Sequence, residues 1–161
     1  MAKRQTDLAH RRKLVLAQEF FRRIPHGESI GMAAVDVGDD FVVSRLPYSG
    51  ALVGNPATGH LHGGVVTTMI DQTSGAAAVA TLDPPEVVAT RDMRIDHLRA
   101  AAPGRDILAK AQCYKITGNI AFVRCVVYED DEREPFATSM STFMRSTVPG
   151  RGMVEGAREE R

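Results

Sequence analysis

Residues 59–72 read GHLHGGVVTTMIDQ, with two histidines and two adjacent glycines directly before an apolar run that contains one acid, Asp71. Gly63 and Gly64 fall where a loop is expected to become a helix, and unpaired backbone N–H groups and the positive end of the helix dipole converge there. Because glycine has no side chain, a ligand oxygen can approach these N–H groups closely. The glycines therefore predict a site for a developing oxyanion. A helix cap or a hinge is the alternative interpretation.

Asp71 is the second residue that could do chemistry. It lies two helical turns beyond Gly63, and aspartate is a poor residue for the middle of a helix. Taken alone, such a residue faces solvent. A helix enclosed by a sheet has little solvent-facing surface, however, and a partly buried carboxylate would act there as a general base or a nucleophile. Its neighbours on that side are small or carry hydroxyl groups: Thr67, Thr68, Ser74 and Gly75.

The elements around this stretch follow from the spacing of apolar residues. Asp83-Pro84-Pro85 ends the helix that carries Asp71, since proline cannot continue the helical hydrogen bonds. A break at Gly38-Asp39-Asp40 indicates a hairpin. In chain order we predict a helix over 7–24, a hairpin over 31–46, a loop over 47–62, a helix over 64–82, and strands over 87–98, 107–116, 120–128 and 136–145.

The central hairpin of the predicted strands alternates between apolar and polar residues, which indicates one buried face. Both cysteines, Cys113 and Cys125, belong to the apolar side and are expected to be buried hydrophobes without a chemical role. They are too few for a disulfide framework and lack a C-x-x-C spacing, which favours a reducing, cytoplasmic location. The apolar side consists of Ile107, Ala109, Ala111, Cys113, Ala121, Val123, Cys125 and Val127.

Together the elements predict an α+β fold in which an antiparallel sheet wraps around one long central helix, with an extra N-terminal helix. We expect a single domain over 1–161, divided into a helical segment at 1–28, a core at 30–145 and a disordered tail at 149–161. A sheet of this kind leaves an open edge strand with unpaired backbone groups. We therefore expect edge-to-edge association into a homo-oligomer.

Composition limits the partners. Lysine plus arginine (20 residues) balance aspartate plus glutamate (20 residues), so the overall charge gives no reason to expect a nucleic-acid partner. Residues 1–26 carry a local basic strip, which we interpret as a solvated helix face because Asp7 and Glu19 interrupt it. No window of the sequence is apolar enough to span a membrane. We expect no nucleic-acid and no membrane partner.

The segments NPATGHLHGGVVTTMIDQTSGAAA and VVATRDMRIDHLRAA resemble the hotdog-fold acyl-CoA thioesterases of the PaaI-like type, named after the phenylacetate pathway. The resemblance covers roughly residues 30–145. It implies the fold inferred above, assembled as dimers and often as tetramers. It also implies an acyl-CoA substrate, aryl or medium-chain, and no separate cofactor, because coenzyme A is part of the substrate.

The resemblance assigns roles to five positions as catalytic residues. The Gly63 N–H would polarise the thioester carbonyl, and His62 would shape that loop. Asp71, reaching across from another subunit, would activate water or attack directly. Thr90 aligns with a hydroxyl residue that helps place the water in some relatives. Asn55 is the less secure transfer, because the loop asparagine of relatives lies one residue closer to the histidine than Asn55 lies to His62.

Substrate contacts are expected from further residues near the site and on the surface. In the predicted alternation of its strand, Arg91 lies on the same side as the apolar residues Met93 and Ile95. It therefore either pairs with an acid at the subunit interface or lines the acyl pocket. His97 stands where the family commonly has tyrosine, and we interpret it as a packed or interface residue. The substrate-binding candidates are Gly64, Ser74 and Arg91, with Arg94, Arg99 and Lys115 as partners for the coenzyme A phosphates.

Three other functions compete with hydrolysis of a thioester. A metal site would need three ligands on rigid elements, whereas His60 and His62 flank Leu61 in a loop, so we expect no metal. A hotdog-fold hydratase or dehydratase is a second possibility, but the hydratase branch carries an aspartate two residues before the N-P element, and this chain has Val53 there. A non-catalytic acyl-CoA-binding module is also compatible with the fold, although Asp71 beside the HGG loop argues against it.

Overall fold

The computed structural model describes residues 2–145, and the predicted disordered tail lies outside this range. In chain order the elements are α1 (Ala2–Arg22), α2 (Pro25–Ser29), β1 (Ala33–Val37), β2 (Phe41–Leu46), a 3₁₀ turn (Gly50–Leu52), β3 (Val53–Asn55), β4 (His60–Leu61), α3 (Gly63–Thr81), β5 (Val88–His97), β6 (Ile107–Thr117), β7 (Ile120–Tyr128) and β8 (Ala137–Arg145). One antiparallel sheet has the order β1-β2-β6-β7-β8-β5, and β3 pairs with β4. This confirms the predicted α+β architecture of a sheet around a central helix.

α3 is the helix that the sheet encloses, and it lies against β2, β5, β6 and β7. Every residue from Gln72 to Val79 is buried. Gly75 and the three alanines that follow it keep this stretch narrow, so the strands can approach the helix backbone closely. The helix ends at Thr81, directly before Leu82 and the predicted Asp83-Pro84-Pro85 terminator.

The central hairpin, β6–β7, has the buried face that the sequence predicts. All eight odd-numbered positions of its apolar side are between 0% and 4% exposed. Cys113 and Cys125 are among them, and both are free. Burial raises the pKa of the Cys125 thiol to about 12 and also raises the pKa of Cys113. Both thiols therefore stay protonated and unreactive, as their interpretation as buried hydrophobes requires.

A β-bulge in β5 overturns the predicted parity of that strand. Thr90 pairs with Phe143 and Asp92 pairs with Thr142, so Arg91 is the extra residue of the bulge. Val88 and Thr90, which precede the bulge, face α3. After the bulge, Met93 and Ile95 are the residues that face α3. Arg91 is exposed. Its placement on the apolar side of the strand was wrong because simple alternation does not survive an inserted residue.

The N-terminal helix and the loop before α3 differ from the predictions mainly in detail. α1 packs on β1 and α3 through Ala17 and Phe21, which are 8% and 1% exposed. Arg11 and Arg12 are exposed, as expected for the solvated basic face. The short helix α2 and the β3–β4 hairpin were not predicted, because elements of two to five residues are too short to show a periodicity.

The sheet ends in two edge strands, β1 and β5. Residues 88–97 of β5 pair on one side only, with β8. Within the described residues, no helix combines the length and the apolar character that crossing a lipid bilayer requires.

Candidate active site

The entrance to α3 leaves one backbone donor unused. His62 is the N-cap, and its Nδ1 accepts a hydrogen bond from the Gly64 N–H at 2.9 Å, while its carbonyl oxygen accepts from the Val65 N–H at 3.0 Å. The Gly63 N–H has no hydrogen-bond partner among residues 2–145. A Cβ atom added at Gly63 would find no atom within 4 Å. Gly63 is also exposed. Its N–H therefore lies at the positive end of the helix, where an anionic oxygen can bind.

His62 holds the loop in the conformation that exposes this donor. Because its Nδ1 accepts a hydrogen bond, that nitrogen carries no proton, and the proton of the neutral ring is on Nε2. Two glycines make room for the histidine. A Cβ atom at Gly64 would lie 2.9 Å from Nδ1, and one at Gly54 would lie 2.8 Å from the His62 Cα atom. The predicted role of His62 in shaping the loop thus has a physical basis in an N-cap hydrogen bond.

Asp71 and Thr90 lie together at a second place on α3. The Thr90 hydroxyl donates to Asp71 Oδ1 at 2.6 Å. Both residues line a pocket of about 470 Å³ between α1, α3, β5 and β8, here named the carboxylate pocket. Since Oδ1 is held by Thr90, the other carboxylate oxygen remains available to a ligand or a water molecule. Other lining residues are Phe20, Ile24, His26, Gly75, Met93 and Phe143.

Gly63 and Asp71 do not meet within one chain. They are eight residues apart on a continuous α-helix, which separates them by roughly 12 Å along the helix axis. An aspartate side chain is far shorter than this distance. A single carbonyl group therefore cannot touch the Gly63 N–H and the Asp71 carboxylate of the same protomer.

Asn55 is engaged in the turn that links β3 to β4. Its Oδ1 accepts from the Ala57 N–H at 3.1 Å, and its backbone carbonyl accepts from the N–H groups of Thr58 and Gly59. The side chain is exposed on the loop before His62. Its hydrogen bond with Ala57 defines the turn, so a catalytic role for Asn55 stays a prediction.

Ser74 lies on the sheet-facing side of α3. It is 0% exposed and neighbours Cys125 of β7. Burial raises the pKa of that thiol, and the nearby Ser74 hydroxyl acts in the opposite direction with a smaller effect. The carboxylate pocket is lined instead by Asp71 and Gly75. The structure therefore does not bring Ser74 to the surface where Asp71 lies.

The predicted phosphate partners divide into engaged and unengaged residues. Arg99 donates two hydrogen bonds to Glu129, at 2.8 and 2.7 Å, and lies over the Phe136 ring. These bonds from Arg99 hold the pKa of Glu129 at about 2. Arg94 forms an exposed ion pair with Asp96 at 3.0 Å. The third predicted phosphate partner, Lys115, has an exposed side chain that pairs with no residue of the described chain. The same is true of Arg91, which was predicted at the subunit interface or in the acyl pocket.

Two polar residues of the carboxylate pocket were missed by sequence reasoning. His26 approaches Thr68, with 3.2 Å between Nε2 and the hydroxyl oxygen. Gln72 is 6% exposed, and its Nε2 has no hydrogen-bond partner among residues 2–145. His26 belongs to the unpredicted α2, and only the docking of that helix places it at the pocket. For Gln72, the signal available in the sequence was its position directly after Asp71.

The potential metal cluster around the loop histidines is not assembled. His60 Nδ1 lies 2.9 Å from the Ala101 carbonyl oxygen, and His62 Nδ1 is occupied by the Gly64 N–H. Within the described range, no three His, Cys, Asp or Glu side chains lie close enough together to hold a metal ion.

Comparison with known proteins places this arrangement in a family. The sequence pattern of the Thioesterase superfamily matches residues 58–136, which include Gly63, Asp71 and Thr90. A crystal structure of a Pseudomonas aeruginosa protein is 36% identical, with a TM-score of 0.77, and the match covers 83% of this chain and 99% of that one. The chain belongs to the thioesterase superfamily. The hotdog fold implied by the resemblance is thereby confirmed.

Among other similar proteins, the medium/long-chain acyl-CoA thioesterase YigI of Escherichia coli is 26% identical over 144 residues, covering 81% of this chain and 91% of YigI. The rat acyl-coenzyme A thioesterase THEM4 is 26% identical over 130 residues. The PaaI protein of the E. coli phenylacetic acid degradation operon, at 15% identity and a TM-score of 0.72, shares the fold. The chain spans 61%, 54% and 41% of the length of the first three curated relatives that it matches.

Proposed function

We propose that this chain is an acyl-CoA thioesterase whose active site combines Asp71 of one copy with the Gly63 N–H of another. The observation that carries the proposal is the separation of the two groups on α3. Each is prepared for chemistry, the N–H by being unpaired and the carboxylate by its bond to Thr90. Because roughly 12 Å of helix lies between them, only a second copy can bring them to one carbonyl group.

The reaction proceeds by attack of water on the thioester. The free oxygen of the Asp71 carboxylate accepts a proton as the water oxygen bonds to the carbonyl carbon. The negative charge that develops on the carbonyl oxygen is stabilised by the partner's Gly63 N–H and by the α3 dipole. Collapse of this intermediate breaks the carbon–sulfur bond, and the proton held by Asp71 passes to the sulfur. The products are a carboxylic acid and the coenzyme A thiol.

Direct attack by Asp71 is the other form of the same proposal. The carboxylate oxygen would bond to the carbonyl carbon as the carbon–sulfur bond breaks and a thiolate leaves. Water would then hydrolyse the resulting anhydride, regenerating the Asp71 carboxylate and supplying the proton that converts the thiolate to the thiol. Both routes use the same donor and the same carboxylate, and both release one thiol for each ester consumed. The names of YigI and THEM4 support the substrate class, a coenzyme A thioester.

The coenzyme A phosphates are assigned to Arg91 and Lys115, two exposed cations that have no ion-pair partner within the described chain. Arg99 is less suited, because its bidentate pair with Glu129 and its contact with Phe136 would have to break. Arg94 can exchange partners, since an exposed ion pair such as that with Asp96 contributes little free energy.

A pair of substitutions at Gly63 tests the proposed oxyanion donor. Gly63→Pro deletes only the N–H, because proline is favoured at the first position of a helix and its Cβ meets no atom within 4 Å. The preceding residue, His62, already has the extended conformation (φ −66°, ψ 136°) that a following proline requires. Gly63→Ala is the matched control, since it adds a Cβ and keeps the N–H.

Thiol release from a panel of acyl-CoA and aryl-CoA esters is the measurement. We expect Gly63→Pro to lower kcat about 10²- to 10³-fold, while Gly63→Ala stays close to the unmodified protein. Circular dichroism and thermal unfolding would show that both variants fold. Equal activity of the two variants would contradict the proposed role of the N–H. Hydration of enoyl-CoA without thiol release by the unmodified chain would instead indicate a hydratase.

A further inference from the structure

A second cavity lies on the far side of Phe20 from the carboxylate pocket. It occupies about 430 Å³ between α1 and α3 and is here named the α1 groove. Its walls are almost entirely apolar, and the charged residues on it, Lys13, Glu19 and Arg23, belong to α1 or directly follow it. Neither the thioester chemistry nor the coenzyme A contacts proposed above use it. The apolar walls are formed by Leu16, Ala17, Val37, Ala76, Val79 and Ala80, with Pro84 and Pro85 beyond them.

Phe20 is the wall shared by the two cavities, since it lines both of them. Gly75 lies at the same junction: a Cβ atom there would come within 4.0 Å of the Phe20 ring and 3.5 Å of Phe143. The absence of a side chain at position 75 thus leaves space beside Phe20. A change in the Phe20 rotamer is the smallest movement that would join the two cavities.

The two cavities also follow one another along a single face of α3. Asp71, Gly75 and Val79 are spaced four residues apart, so they lie on one side of the helix. Asp71 and Gly75 line the carboxylate pocket, and Val79 lines the α1 groove. The path from Asp71 to Val79 covers roughly 12 Å along the helix axis.

From this continuity we infer that the α1 groove receives the distal part of a straight acyl chain, with Phe20 as the residue that sets the accepted length. The inference rests on the proposed thioesterase function and specifies its substrate. An extended carbon chain advances about 1.2 Å per bond, so a path of roughly 12 Å accommodates about ten bonds. The substrate class is therefore a medium-chain acyl-CoA, whereas a single aryl ring fills only the space before Phe20.

The chemistry of the groove fits this occupant. Leu16 is 66% exposed at its edge, so water meets an apolar surface when the groove is empty. A hydrocarbon chain would cover that surface without leaving any polar group unpaired. Each methylene buried in this way strengthens binding roughly fourfold.

The test fills the groove without touching the carboxylate pocket. Ala80 lines only the α1 groove and is half-buried, and leucine suits a helix, so Ala80→Leu should fold. Ala33→Leu makes the same change at an exposed position of β1 that does not line the groove, and serves as the matched control. For each protein kcat/KM is measured with butyryl-, hexanoyl-, octanoyl- and decanoyl-CoA.

We expect Ala80→Leu to lower the ratio of decanoyl- to butyryl-CoA kcat/KM by at least about tenfold, which corresponds to losing the burial of two methylenes. Ala33→Leu should leave that ratio unchanged. An unchanged ratio in Ala80→Leu would overturn the inference. A second result would also overturn it. If light scattering shows that Ala80→Leu changes the oligomeric state while the kcat/KM ratio stays the same, the groove accommodates a second copy of the chain.

Binding separates failure of the inference from failure of the proposed function. Calorimetric titration of Asp71→Asn with the same acyl-CoA series should show affinity that rises with chain length, and adding Ala80→Leu should abolish the rise. If the unmodified chain hydrolyses no ester but binding rises in this way, the groove binds acyl chains and the thioesterase proposal fails. If the affinity for acyl-CoA does not depend on acyl chain length, the inference about the α1 groove fails, whether or not the unmodified protein hydrolyses thioesters.

Discussion

The hydrogen bond between Thr90 and Asp71 decides how the carboxylate can act. With Oδ1 held at 2.6 Å by the Thr90 hydroxyl, the carboxylate has one fixed orientation and one free oxygen. The two residues come from different elements, α3 and β5. The bulge at Arg91 brings Thr90 to the side of β5 that faces α3. A local irregularity of the strand therefore contributes directly to the geometry of the site.

Replacing Thr90 tests whether orientation of Asp71 matters for catalysis. Thr90→Val keeps the shape of the side chain and removes the donor, so we expect kcat to fall about tenfold, the equivalent of one hydrogen bond to a charged group. Thr90→Ser keeps the donor and should retain most of the activity. KM should change little in either variant, because the bond acts on the carboxylate and not on the substrate. Equal kcat values for the two variants would show that this bond has no catalytic role.

At this scale the sequence marked candidate residues more clearly than it marked their surroundings. Gly63, His62 and Asp71 were chosen as candidates because an HGG corner before a helix and an acid within an apolar run are unusual. The hydrogen bonds between Arg99 and Glu129 could not be foreseen, because those residues are 30 positions apart. They meet only because β8 pairs with both β5 and β7 in the sheet. The exposure of Arg91 was missed because the bulge leaves no mark in the apolar pattern.

Among the elements, the pair formed by Arg99 and Glu129 fastens the segment after β5 to the end of β7. The Glu129 side chain is 7% exposed and also accepts the Ala102 N–H at 2.9 Å. Arg99 holds the pKa of this carboxyl at about 2, below its ordinary value of 4.5. Because the folded-state pKa is the lower one, the carboxylate stabilises the fold fully above pH 4.5, and this stabilisation is lost as the pH falls toward 2.

Glu129→Gln should therefore destabilise the protein in a pH-dependent manner. At pH 7 we expect a loss of about 3 kcal/mol in the free energy of unfolding. The difference in the free energy of unfolding between the variant and the unmodified protein should shrink between pH 4.5 and pH 3. In that range the Glu129 carboxylate of the unmodified protein stabilises the fold less as the pH falls. Urea denaturation at pH 7, 4.5 and 3.5 measures this. A difference that stays constant over that range would show that the ionised carboxylate is not the source of the stability.

The elements themselves were largely predictable. The helix carrying Asp71, predicted over 64–82, is observed at Gly63–Thr81, and the strand predicted over 120–128 has those same bounds. Long elements have enough residues for a periodicity and clear terminators such as Asp83-Pro84-Pro85. α2 and the β3–β4 hairpin are too short for either signal, and their positions depend on packing against α3 and on the turn at Asn55.

For the whole molecule, the distance between Gly63 and Asp71 makes association a requirement of the mechanism. A two-fold dimer would contain two sites, each taking its carboxylate from one copy and its N–H donor from the other. The open edge of β5, which pairs only with β8, is one surface on which such copies can join. The sequence predicted an open edge strand, and the family resemblance implied an Asp71 that reaches across from another subunit. Helix geometry gives an independent reason for dividing the proposed site between copies.

Subunit mixing tests this central claim most directly. Asp71→Asn and Gly63→Pro chains would be co-expressed with different affinity tags, and dimers carrying both tags purified. In such a mixed dimer one site joins an intact Asp71 to an intact Gly63, while the other site lacks both. We predict that the mixed dimer recovers about half of the unmodified thiol-release activity, although each parent dimer is nearly inactive. Mixed dimers as inactive as their parents, or chains that form no dimer at all, would contradict an active site shared between copies.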